Sequence, residues 1–302
     1  MPIYLGIDAG GSKTACAVGD ERGVLAKATA GGSNPLRLSA ARSRESLLAA
    51  IRAACAAAGV NATAIERTCI GIAGTNLPHV RETVLRVLRE SVAGQITIVA
   101  DMEIAIEAAL GEAAGMIVIA GAGSIAFGRN DAGCTARAGG WGHVVSDEGS
   151  GYWIGQRAVA AILRAADEGA TSLLEKSIFP QWHVLSRTEL LRMASSSPPP
   201  DFAQLLPAVL EAAKAGDPWA VRVLADAGTQ LASLASIVAG RLWPRERWVR
   251  VALAGGVFRH SPTVRHAFYH ELRARRRNVA VSFSVTEPVI GALALARKSG
   301  SQ

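Results

Sequence analysis

The chain has 302 residues, half of them hydrophobic and only 5% aromatic, with a formal net charge of +7 and a pI near 9.7. That length is a prior for two domains of ordinary size, and the apolar fraction allows a sizeable core. The basic residues are scattered through helical segments with no aromatic-interleaved stripe, so no nucleic-acid partner is expected, although the balance suits an anionic substrate.

The first strand, "PIYLGID", runs into "GIDAGGSKT" (Gly6 to Thr14), which misses the P-loop spacing by one residue. A P-loop would feed a helix. Here "TACAV" and "VLAKA" flank the polar turn "GDERG", so the glycine turn sits between strands and a hairpin follows. After the loop "GGSNPLRLS", a helix is expected over Ala40 to Gly59, stopped by Gly59. The strand "RTCIGIAG", a helix begun near Pro78, the strand "QITIVAD" and the helix "MEIAIEAALGE" complete an α/β layer. The opening pattern then returns: "GMIVIAGAGSIAFGRNDAGCTARAGG" repeats strand, glycine turn, strand, polar turn, strand. Two copies of one unit are expected, each opening its own α/β half, with domains over 1–112 and 113–302 and helical additions in the second. In that second half "GGWGHVVSDEGSGYWIG" leads into a helix from about Gly151. "SSSPPPDF" is a connector with Asp201 as a cap, and Asp217-Pro218 start a long helix reaching about Leu242. The strand "RWVRVALAGGVF", the strand "AVSFSV" and the helix "EPVIGALALARK" end the chain. The run "RARRRN" at 273–278 reads as a solvated helix end.

Cys16, Cys55, Cys69 and Cys134 are widely spaced, with no CxxC, and read as buried reduced thiols. Asp8 and Lys13 stand where a signal peptide would need an apolar run, and the run from Met116 to Phe127 is too short and glycine-interrupted to span a bilayer. The expectation is a soluble, cytoplasmic protein with no membrane partner.

Asp8 closes the first strand beside Gly10 and Gly11, where backbone amides meet a phosphate without an intervening Cβ. Ser12, Lys13 and Thr14 add donors. A carboxylate there suits Mg²⁺ held through water; the alternative is a tight hairpin alone. Gly121, Ala122, Gly123 and Ser124 form the matching second turn. They also satisfy a loose dinucleotide pattern, but strand rather than helix follows. Asp101 ends "ITIVAD" and reads as a general base for a substrate hydroxyl, as a helix N-cap, or as both. The glycine-rich loop with Trp141, His143, Asp147, Glu148 and Trp153 offers polar groups beside an aromatic face, as carbohydrate recognition requires. Asp147 is the better polar contact there, and His143 reads as structural. Gly255 and Gly256, in "ALAGGVF", would let an adenosine approach the backbone.

Together these pieces resemble the acetate kinase, sugar kinase, Hsp70 and actin superfamily, through Gly6–Thr14, Ile119–Ser124 and Leu253–Val257. Within it the chain is similar to the branch pairing N-acetylglucosamine kinases with BadF/BadG-type ATPases, through "SNPLRL", "VADMEIA", "IAGAGS" and "GGWGHVVSDEGSGYWIG". The fold implied is two ribonuclease H-like (actin-like ATPase) domains with a nucleotide and sugar cleft between them. The resemblance also implies transfer of the γ-phosphoryl of ATP, with Mg²⁺, to the 6-hydroxyl of an amino sugar, in a homodimer. By match, Asn34, Gly140, Trp141, Gly142 and Asp147 would line the sugar site with Asp101 as base. Gly10, Gly11, Ser12, Lys13, Gly121, Ala122, Gly123, Ser124, Gly255 and Gly256 would face ATP, and Asp8 the metal. The family usually has Thr where this chain has Ala122, which removes a hydroxyl donor. Glucosamine or another amino sugar is the alternative substrate. A BadF/BcrA-type activator would need cluster-forming cysteines, which are not visible. A sugar-responsive regulator would need a DNA-binding helix pair or a zinc motif, and neither is visible.

Overall fold

The computed structural model describes residues 1–298, which fall into two units. Unit 1 comprises Met1–Ala113 together with Thr286 and the described residues beyond it; unit 2 is Ala114–Val285.

Unit 1 opens with β1 (Ile3–Ala9), β2 (Lys13–Gly19) and β3 (Val24–Gly31), followed by α1 (Ala40–Ala58) and β4 (Ile65–Ile72). Then come α2 (Pro78–Arg89), β5 (Gln95–Val99) and α3 (Asp101–Leu110). The strand order is β3-β2-β1-β4-β5, antiparallel from β3 to β1 and parallel from β1 to β5. Central β1 is apolar on both faces, as a strand covered from both sides must be. Its Leu5, Ile7 and Ala9 join α1 and α2 through Leu47, Ile51, Val80 and Val84, while Tyr4 belongs to the opposite layer with Ile104 of α3. Helix α1 starts where Ser39 accepts from the Arg42 amide and stops at left-handed Gly59 (φ 66°), as its sequence indicates.

Unit 2 repeats the plan. Its strands are β6 (Gly115–Ala120), β7 (Ser124–Arg129) and β8 (Thr135–Gly139). Next come α4 (Gly151–Asp167), α5 (Leu173–Trp182), α6 (Arg187–Ala194), α7 (Leu206–Lys214) and α8 (Pro218–Leu242). The unit continues with β9 (Val249–Ala254), α9 (Gly256–His260), α10 (Pro262–Arg275) and β10 (Val279–Thr286). Read from its hairpin edge the order is β8-β7-β6-β9-β10, strand for strand that of unit 1. Helix α8 begins at Asp217, whose carboxylate accepts from the Ala220 amide, with Pro218 first in the helix. By length and composition it is apolar enough to cross a bilayer, a feature the run-by-run reading passes over. Its Leu224, Leu231, Ala235 and Val238 are buried in the unit's core with Val264 and Phe268 of α10, as in a core helix.

The structure departs from the sequence reading in several places. The last helix, α11 (Pro288–Lys298), belongs with unit 1, so the second domain does not continue to the chain's end. It lies so close to β1 that a Cβ on Gly6 would fall 2.3 Å from the Leu293 nitrogen, and so close to α3 that one on Gly291 would fall 1.9 Å from the Ile104 carbonyl oxygen. Within the basic run, Arg276 is buried rather than solvated. Its guanidinium donates to the carbonyls of Ala239, Trp243, Pro244 and Arg247, closing the α8–β9 connection. Cys16, Cys55 and Cys69 are buried, but Cys134 is exposed on the β7–β8 turn. Asp201 caps only a 3₁₀ turn, Phe202–Leu205.

Candidate active site

In unit 1 the register sets two carboxylates at the carboxyl ends of parallel strands, where open α/β sheets place their ligands. Asp8 of β1 pairs with Gly71 of β4, and Gly71 pairs with Val99 of β5, two residues before Asp101. Asp8 is half-buried. Burial, reinforced by the Asp101 charge and opposed by Lys13, pushes its carboxyl up to about 7. Asp101 is the first residue of α3 and not its N-cap. Ala100 holds the cap position, its amide donating to Glu103 Oε1 at 3.1 Å, and Asp101 Oδ1 accepts from the Met102 amide at 2.9 Å.

The first glycine turn closes with Ala9 opposite Thr14 and the Gly10 amide donating to the Lys13 carbonyl at 3.0 Å. Gly11 and Ser12 stand at its apex, with the Ser12 and Lys13 side chains exposed. The carbonyl of Gly10 turns to the next loop, accepting from the amides of Ser33 (3.1 Å) and Asn34 (3.2 Å). Asn34 is buried. Its Oδ1 accepts from the Leu36 amide at 2.9 Å and its Nδ2 donates to the Ala73 carbonyl at 3.4 Å.

In unit 2 the second turn is one residue tighter. Ala120 lies opposite Ser124 and the Gly121 amide donates to the Gly123 carbonyl at 2.9 Å, leaving Ala122 at the apex. The loop before α4 folds over this turn. Asp147, only 4% exposed and left-handed at φ 64°, brings its carboxylate against Gly123. Ser124 Oγ donates to the Glu148 carbonyl at 2.8 Å. The Gly151 amide donates to the Gly121 carbonyl at 2.8 Å, and Ser150 caps α4. Gly255 (φ 98°) ends β9 so near β6 that an added Cβ would fall 2.2 Å from the Ala120 carbonyl oxygen. This seats Gly255 and Gly256 at the same end of the sheet as Gly121.

Trp141, between Gly140 and Gly142, is 69% exposed, and the Arg137 guanidinium stacks 4.1 Å from its ring centre. His143 places its ring 4.5 Å from that of Tyr152. Trp153 is not part of that loop face: it lies in α4, packed against the core with Arg157 over its ring. The sequence reading overlooked Arg137 and the structural use of the Thr14 and Ser124 hydroxyls. Superposing the two repeats would have singled out the last two, because each faces the last residue of the first strand across its turn, Thr14 opposite Ala9 and Ser124 opposite Ala120.

Among the described residues no group of three or more His, Cys, Asp or Glu is placed to hold a metal ion. Two carboxylates that raise each other's charge cost, beside a turn presenting backbone amides, suit Mg²⁺, which binds through one or two carboxylates and completes its shell with water and substrate phosphates. The residues present fit Mg·ATP.

Two copies of this sheet, each with a glycine turn after its first strand, define an actin-like ATPase fold. A model of the BadF/BadG/BcrA/BcrD ATPase family matches residues 5–296, and the chain belongs to that family. It is 30% identical, over 98% of its length and 99% of the relative's, to an N-acetylmuramic acid/N-acetylglucosamine kinase of Clostridium acetobutylicum. It is 26% identical, over 98% of both chains, to an N-acetyl-D-glucosamine kinase of Dictyostelium discoideum. Among solved structures, a candidate N-acetylglucosamine kinase from Chromobacterium violaceum superposes with a TM-score of 0.77 at 27% identity, covering 98% of this chain and 99% of that one.

Proposed function

We propose that the protein is an ATP-dependent amino-sugar kinase that transfers the γ-phosphoryl group to the 6-hydroxyl of N-acetylglucosamine. The observation that carries this reading is the placement of Asp8, near the end of β1, and Asp101, just beyond the end of β5, at the same edge of the first sheet on either side of β4, where the Asp101 charge acts on Asp8. Asp101, half-buried and fixed at the start of α3, is the general base that takes the hydroxyl proton. Asp8 is the metal residue, and Mg²⁺ supplies neutralisation of phosphate charge. Gly10, Gly11, Ser12 and Lys13 in unit 1, and Gly121, Ala122, Gly123, Gly255 and Gly256 in unit 2, are the nucleotide residues. The backbone of Ser124 belongs with them. Asn34, Gly140, Trp141, Gly142 and Asp147 are the sugar residues, with Trp141 as the aromatic platform steadied by Arg137. The same reading takes the assembly as a homodimer in the cytoplasm.

The test is ADP release coupled to a spectrophotometric readout, across N-acetylglucosamine, N-acetylmuramic acid, glucosamine and glucose. Turnover stimulated by the N-acetylated sugars supports the proposal. Folded protein that turns over none of the four excludes it.

A further inference from the structure

Both units tie their glycine turn to a second loop with the same two atoms of the hairpin. One is the hydroxyl of the second-strand residue in the ladder pair that closes the turn, Thr14 opposite Ala9 and Ser124 opposite Ala120. The other is the carbonyl of the first turn glycine. In unit 1, Thr14 Oγ1 lies 2.7 Å from Ser33 Oγ and 2.7 Å from the Gly31 carbonyl oxygen, and the Gly10 carbonyl accepts from Ser33 and Asn34. The Ser43 hydroxyl donates to the Ser33 carbonyl and anchors the loop to α1. In unit 2, Ser124 Oγ donates to the Glu148 carbonyl at 2.8 Å and the Gly121 carbonyl accepts from Gly151. Thr14, Ser33, Ser43 and Ser124 are all buried, so none of these links exchanges freely with water and each is costly to break. The strapped loops carry Asn34 and Asp147.

We propose that Thr14 and Ser124 are positioning residues through which nucleotide and sugar binding are coupled, each transmitting the seating of a phosphate turn to one sugar residue. The inference rests on the amino-sugar kinase reading. The Ser124 hydroxyl serves the strap rather than the phosphate. Because coupling is reciprocal, sugar binding that orders Asn34 also orders the first turn, and sugar binding that orders Asp147 also orders the second.

The test is calorimetric. The Kd of Mg·ADP is measured with and without saturating N-acetylglucosamine for the wild type, Thr14→Val, Thr14→Ser, Ser33→Ala and Ser124→Ala. In the wild type the sugar should tighten the nucleotide by about fivefold or more. Thr14→Val, Ser33→Ala and Ser124→Ala should each shrink that factor by about threefold or more, with Thr14→Ser keeping it. A merely structural role would lower the binding-competent fraction, read as stoichiometry, and leave the factor intact. A wild-type factor of one, or an unchanged factor in the folded variants, overturns the inference while the kinase reading stands. Should Thr14→Val not fold, Ser33→Ala and Ser124→Ala decide it. Failure of the wild type to bind N-acetylglucosamine removes both.

Discussion

The Asp147 carboxylate lies against the α-carbon of Gly123, so close that a Cβ at that position would fall 2.8 Å from Asp147 Oδ2. A side chain at residue 123 therefore requires the Asp147 carboxylate to move from its place on the second turn. Gly123→Ala should displace Asp147 and lower kcat/KM for the sugar by about 10–10² fold, the cost of a misplacement near 1 Å. Gly23→Ala, where an added Cβ meets nothing within 4 Å, should leave it unchanged. Equal steady-state parameters for Gly123→Ala and wild type would separate Asp147 from the site.

Asp101→Asn keeps the size and the start of α3 but cannot take a proton. The expected outcome is a fall in kcat of about 10²–10⁴ fold with Mg·ADP affinity retained, the range for losing a general base. Calorimetry and turnover on one preparation check both halves. Wild-type kcat in that variant would exclude Asp101 as the base.

The raised carboxyl of Asp8 predicts the pH dependence of the ligand-free fold. Its pKa is pushed from 3.8 to about 7, so between those values the folded state binds more protons than the unfolded chain. The contribution of Asp8 to stability therefore falls as pH rises through that window and is flat above it. Urea midpoints of wild type and Asp8→Asn, measured from pH 5 to 8.5 without nucleotide or metal, should diverge with rising pH in favour of Asp8→Asn. A constant difference would contradict the shift.

Helix α11 is seated on unit 1 through Gly6 and Gly291. Gly6→Ala would set a methyl group 2.3 Å from the Leu293 backbone nitrogen, and neither β1 nor α11 has a flexible side chain to yield there. A loss of about 1–3 kcal/mol or more in unfolding free energy is expected, as for an overpacked core. Chemical denaturation measures it, and wild-type stability in Gly6→Ala would show that α11 does not clamp β1.

Much of the fold was legible because the duplicated strand–turn–hairpin pattern is local. Apolar runs broken by "GDERG" and "RNDAG" announce hairpins whatever surrounds them. Asp8 and Asp101 were equally visible, since each follows an apolar run in the sequence, although Asp101 opens α3 just beyond β5 rather than closing the strand. The buried Arg276, the membership of α11 and the placement of Trp153 were hidden, because each depends on partners distant in sequence. Arg276 resembles its solvated neighbours until the carbonyls of Trp243 and Pro244 surround it.

By itself the sequence determined the two glycine turns, the repeat that produces them and the carboxylates beside them, since hydrophobic period and turn chemistry act over a few residues. Only the tertiary structure decided that the Thr14 and Ser124 hydroxyls serve as straps, that Asp147 rests on Gly123, and that α11 returns to the first sheet. Those outcomes follow from close packing between segments far apart in the chain, where a missing Cβ or one buried hydroxyl sets which surfaces can meet.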